Sequence, residues 1–235
     1  MKNTRRYMIF FIIVAVIASL LVVLPEAAAP AMRTPKGTIV IDAGHGGFDG
    51  GAVGRLTGVK EDGINLAIAK KLKLLFEKNG YTVIMTREDE NAVGDTKRKD
   101  MENRREIIKN AIADIVISIH MNKFPDSSVS GPQVFFYDDS AEGEALAKLI
   151  QQELIAALDP PKVRMEHPED YYILCSGDGP AVIVECGFLS NEREEKLLQE
   201  DDYQTLCAKA IYRGVAAYLE QRIESKDSSQ FHDPI

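Results

Sequence analysis

Four side chains in this sequence have the types and positions to do chemistry together. His45 follows a short apolar run in "IVIDAGHGGFDGG", His120 closes "DIVISIH", Glu185 closes "AVIVE", and Glu61 opens a stretch of helical periodicity. Two imidazoles and one carboxylate, with a fourth position left for water, form a common catalytic zinc shell. A second carboxylate beside such a shell would serve as the base, and the pattern leaves open which glutamate does which. Glu185 is the most informative, because four apolar residues run directly into an acid that is otherwise a costly charge beside a core strand. The competing explanation for it is a salt bridge to an arginine at the core edge.

The elements that must position these groups follow from the hydrophobic pattern. Residues 38–42 read as a buried strand, and from Glu61 to Lys78 the apolar positions Ile64, Ile68, Leu72, Leu75 and Phe76 recur at helical spacing, closed by Gly80. "YTVIM" predicts a second strand, a helix spans about 98–112, and "DIVISIH" and "PQVFFY" are further strands. A helix over 141–158 comes next. After it, "YYILC" reads as a short strand and "AVIVE" as another. Asn191 with Glu194 resembles a capping box, and 202–223 is the last amphipathic helix. Continuous apolar strands alternating with helices predict a single α/β domain whose mostly parallel, mixed central sheet is flanked by helices on both faces. In such sheets sites form at the carboxyl ends of the strands. His45, His120 and Glu185 share that rim, and the helix headed by Glu61 returns from it.

Composition limits the function classes. Lys2, Arg5 and Arg6 precede an uncharged run of eighteen residues from Tyr7 to Leu24, which predicts a signal or an uncleaved signal anchor over 1–24 and export of the remainder. Ala29 and Ala31 are the small residues available to a cleavage site. A linker over 25–36, a catalytic domain over 37–223 and a polar tail over 224–235 complete the organisation. Without the three leading basic residues, 25 Lys+Arg face 36 Asp+Glu, a net charge of −11. That balance argues against nucleic acid, and binding of an anionic polymer has to come from local contacts. Cys175, Cys186 and Cys207 fit neither a disulfide framework nor a CxxC zinc site and read as buried free thiols. The glycines around His45 lack the lysine of a P-loop, and Asp49 breaks G-x-G-x-x-G. They allow a sharp exit from the strand, with Asp49 either a turn residue or an acceptor for an imidazole N–H.

The stretches "IVIDAGHGGFDGGAVG", "KEDGINLAIAKKLKLLFEKNGYTVIMTRE", "NRREIIKNAIADIVISIHMN" and "PAVIVECGFLSN", in that order over about residues 37–222, resemble the zinc-dependent N-acetylmuramoyl-L-alanine amidases of bacterial cell walls. The resemblance implies one Zn²⁺ held by His45, Glu61 and His120, with Glu185 as the catalytic acid and base. It also implies cleavage between the lactyl group of muramic acid and the first L-alanine of the stem peptide. Asp62 departs from the lysine usual in the family. The short architecture is most similar to amidases of spore cortex, whose product becomes muramic δ-lactam, and this implies a polysaccharide deacetylase acting in sequence and an accessory protein. Asn122 and Arg87 are candidates for binding substrate, with a surface pair to Glu88 or Asp89 the other expectation for Arg87. Arg105 is expected in a structural ion pair, His167 in a solvated loop, and Cys186 in the core. A zinc peptidase of the wall and a non-catalytic peptidoglycan-binding regulator are the alternative functions.

Overall fold

The computed structural model describes residues 34–230, so the apolar run from Tyr7 to Leu24 and most of the 25–36 linker lie outside the described residues. β1 (Thr38–Ala43) leads through a glycine-rich loop to α1 (Glu61–Lys78), then β2 (Thr82–Met85), α2 (Lys97–Ala111) and β3 (Ile115–Asn122). β4 (Gln133–Phe136) and α3 (Ala141–Leu158) follow. The two-residue β5 (His167–Pro168), a 3₁₀ turn (Tyr172–Cys175), β6 (Ala181–Phe188), α4 (Glu192–Leu198) and α5 (Asp201–Gln230) complete the order. The strands form one six-stranded sheet in the order β2-β1-β3-β6-β4-β5. β2, β1, β3 and β6 run parallel, and β4 joins β6 antiparallel, which makes the sheet mixed as expected.

Strand alternation decides what each face carries. Ile39, Ile41, Ile117, Ile119, Val182 and Val184 face one core, which packs against the apolar stripes of α1, α3 and α5. Val40, Val116 and Ile183 face the other core, closed by α2 and the 3₁₀ turn. Continuing that second row toward the carboxyl ends brings up Asp42, Ser118, His120 and Glu185. The register pairs Asp42 with Ser118 and His120 with Glu185. The chemistry therefore sits at the carboxyl rim, on the α2 side of the sheet.

Four local expectations change. "YYILC" is a 3₁₀ turn, not a strand: Ser176 Oγ donates to Tyr172 O at 3.0 Å and the Leu174 amide to Tyr171 O, so the backbone closes on itself. The last helix continues to Gln230, past the end expected at 223, into the polar tail. Cys175 is exposed, whereas Cys186 and Cys207 are buried, and all three are free. Asn191 caps α4 by accepting from the Arg193 and Glu194 amides, but Glu194 turns inward to accept from Gly131 and Phe188 and does not complete the box.

Candidate active site and metal centre

Glu61, the first residue of α1, is 3% exposed. Its Oε2 accepts from the Ala52 amide at 2.7 Å, and its Oε1 accepts from Asn65 Nδ2 and the Met121 amide at 3.1 Å each. These contacts fix the carboxylate between two imidazoles, with Oε1 2.9 Å from His120 Nδ1 and 3.3 Å from His45 Nε2. The three donor atoms lie within 4.8 Å of one another. Two glycines make this approach possible. A Cβ on Gly44 would sit 2.2–2.7 Å from the His120 ring, and one on Gly51 would sit 2.4 Å from Glu61 Oε2.

His45 has φ 61°, so the strand exit is left-handed at the candidate ligand itself. Two arginines hold the backbone there. Arg104, 1% exposed, donates to the carbonyls of Ala43 at 2.8 Å and His45 at 2.5 Å while pairing with Asp100 and Asp42. Arg87 donates to the carbonyls of Ala43, Gly44, Asp62 and Asp89 at 2.8–2.9 Å. Asp42 takes further bonds from Ser118 Oγ and Thr86 Oγ1. Burial pushes the Asp42 carboxyl up, but the Arg104 guanidinium and those hydroxyls outweigh it and hold the group below its ordinary value.

The electrostatics favour a cation between the donors. Burial would lower the His45 pKa, yet hydrogen bonding and charge from Glu61, then Asp49, raise it to about 9. His120 is likewise raised against its own burial, mainly by Glu61. Burial pushes Glu61 up, and the two imidazoles hold it far below the carboxylate range. Two imidazoles and one carboxylate drawing in positive charge at short mutual distance is a donor set suited to a divalent metal. Asp49 Oδ2 lies 3.1 Å from His45 Nδ1, which leaves Nε2 to face the centre.

Glu185 stands apart from that set. Its Oε2 is buried and has no hydrogen-bond partner among the described residues. Burial raises its pKa to about 7, with Glu61 adding to the rise and the imidazoles of His120 and His45 opposing it. It lines a cleft of about 430 Å³ together with His45, His120, Phe48, Tyr171 and Tyr172.

The family model described as N-acetylmuramoyl-L-alanine amidase matches residues 39–217, well over half of the chain. The chain belongs to that family. It is similar to the "germination-specific N-acetylmuramoyl-L-alanine amidase" of Bacillus subtilis (strain 168), with 36% identity over 192 residues, 78% of this chain and 80% of that one. The solved structure of the CwlD amidase from Clostridioides difficile in complex with the GerS lipoprotein is 42% identical at a TM-score of 0.76, covering 78% of this chain and 98% of the other. An N-acetylmuramoyl-L-alanine amidase from Clostridium difficile 630 is 28% identical at a TM-score of 0.73, over 78% and 97%. The chain is accordingly an enzyme, an amidase of peptidoglycan.

In this amidase the lesser candidates separate. Arg87, expected to meet a substrate carboxylate or to pair with Glu88 or Asp89 on the surface, makes no surface pair with either side chain. It is 5% exposed, lies outside the cleft lining, and spends its donors on backbone carbonyls. Asn122 also lies outside the cleft lining, its Oδ1 accepting from the Lys123 amide at 2.8 Å. Arg105 makes no ion pair among the described residues and lies over the Tyr172 ring, 5.0 Å from its centroid. His167 is exposed as expected, though in β5. Arg104, Asp42, Ser118 and Asn65 went unremarked in the sequence. The available signal was Asp42 and Ser118, single polar residues inside otherwise apolar strands, and Asn65 one helical turn after Glu61.

Proposed function

We propose that this amidase is zinc-dependent, with His45, Glu61 and His120 as the metal ligands and Glu185 as the proton-transferring group. The bond cut joins the lactyl group of N-acetylmuramic acid to L-alanine of the stem peptide. The observation that carries this is Glu185 Oε2, a buried carboxylate oxygen without a partner, in a cleft shared with two imidazoles gathered around a third carboxylate. When bound there, zinc supplies Lewis acidity toward an amide carbonyl and toward water. Glu185, poised near pH 7 by burial, accepts the proton of the attacking water and returns it to the departing alanine nitrogen. That exchange is worth about 10² to 10⁴ in rate. Asp49 orients the His45 ring, and Arg104 with Arg87 holds the loop that carries it.

The setting proposed is spore cortex, on the outer side of a membrane that the segment 7–24 enters as an anchor. The germination-specific relative supports the cortex assignment. The lipoprotein bound to the Clostridioides difficile relative supports an accessory partner; a polysaccharide deacetylase acting afterwards on the exposed muramic acid is part of the same proposal. Mass spectrometry of muropeptides incubated with the purified protein and zinc tests the reaction. Release of stem peptides beginning at L-alanine is expected. Cleavage between amino acids would replace the amidase with a wall peptidase.

A further inference from the structure

The substrate of this reaction is anionic, and the acidic domain offers it few cations. A stem whose second residue is a glutamate linked through its side chain presents a free α-carboxylate just beyond the L-alanine. Two basic residues are among those lining the cleft, Lys97 and Arg104. Arg104 is committed, with its guanidinium bonded to Asp100, Asp42 and two carbonyls. Arg87, beneath the loop, is committed to carbonyls as well. Lys97, the first residue of α2, keeps its side chain 75% exposed and touches Asp49 Oδ1 at 3.4 Å. An ammonium group has three donors, so this contact leaves two for a ligand.

Resting on the amidase reading above, we propose that Lys97 binds the free α-carboxylate of the second stem residue and so selects acidic over amidated stems. Its position suits that task. Asp49 bridges from His45 Nδ1 at 3.1 Å to Lys97 Nζ at 3.4 Å, so the ammonium stands on the far side of that carboxylate from the His45 ring. An extended peptide advances roughly 3.3–3.6 Å per residue, so a carboxylate on the second residue stands about 7 Å from the scissile amide. Phe48 and Tyr172, exposed by 54% and 45%, wall the same cleft and give the intervening aliphatic part of the stem an apolar surface. Arg105, lying over Tyr172, is the competing cation.

Two matched muramoyl peptides test this, one with the α-carboxylate and one with an α-carboxamide, assayed with zinc on the wild type, Lys97→Met, Lys97→Arg and Arg105→Gln. The wild type should favour the carboxylate in KM by roughly three- to tenfold, the range of a partly screened charge-assisted contact. Lys97→Met should erase the preference while moving kcat far less, Lys97→Arg should restore it, and high salt should shrink it in the wild type. A preference that survives Lys97→Met, or that Arg105→Gln abolishes, overturns the assignment. Calorimetric binding of the two free stem peptides to the same proteins decides the point independently of turnover. Failure of the wild type to cleave either substrate would count against the amidase reading, whereas equal affinity for both peptides would count against Lys97 alone.

Discussion

Stripping metal from the protein and raising the pH should destabilise it, and adding zinc should reverse the sign of that dependence. In the metal-free protein the folded state holds the His45 proton up to about pH 9, whereas an unfolded imidazole releases it near 6.5. The raised pKa therefore contributes stability that is complete below pH 6.5 and is lost as pH climbs to about 9. At 1.36 kcal/mol per pKa unit the loss is about 3 kcal/mol at most. With the His45 side chain 26% exposed, solvent screening brings it nearer ~2 kcal/mol. For a domain of this size that corresponds to a fall in Tm of about 4–8 °C. Glu185 acts in the same direction at lower pH, because its folded pKa is raised from 4.5 to about 7 and its neutral form is favoured by burial. Bound metal displaces protons from both imidazoles, so zinc affinity and the stability it confers should rise with pH. Thermal melts from pH 6 to 9 with chelator and with zinc measure both slopes. A chelated protein whose Tm is flat or rises with pH, or a zinc-loaded one that falls in parallel with it, would refute the coupling of His45 to Glu61.

Gly44→Ala places a Cβ 2.2–2.7 Å from the His120 ring, so the imidazole must move; zinc affinity and amidase activity should fall together, as read by metal analysis and product release. Arg104→Met leaves the buried carboxylates of Asp42 and Asp100 unpaired, and denaturant titration should show a loss of about 3–5 kcal/mol, against near-neutral effects at exposed Arg98 on the same helix.

The main strands were legible because each is an apolar run ended by a polar residue, and that pattern also marked the rim where His45, His120 and Glu185 stand. Helix α1 was legible to the residue, since its apolar stripe begins at Ile64, one turn after Glu61, and ends at Phe76, shortly before Gly80 with φ 88°. The loop supports were not. Asp42 inside a strand announces a buried acid, but its partner Arg104 lies 62 residues away on α2. Sequence alone does not say which of two adjacent arginines faces the sheet: Arg104 turns in, and Arg105 turns out toward Tyr172. Arg87 misled for a related reason. A charged residue just past a strand reads as surface, whereas here the backbone leaving β1 presents the carbonyls of Ala43 and Gly44, which the buried Arg87 satisfies together with those of Asp62 and Asp89. "YYILC" has the aromatic and β-branched content of a strand, and only its brevity hinted at a turn.

The two glutamates provide the most direct test of the central claim that a zinc site and a separate proton-transferring carboxylate share this cleft. Zinc stoichiometry and product release should be measured on the same preparations of wild type, Glu61→Ala and Glu185→Gln. Glu61 is bonded to both imidazoles, so its removal should lower metal content and activity together. Glu185→Gln keeps the shape of a side chain that makes no bond to the ligand set, and it should keep near-full zinc while hydrolysis falls by at least ~10². A Glu185→Gln protein that loses its zinc would make Glu185 a ligand, and one that retains activity would place the base elsewhere; either result contradicts the account.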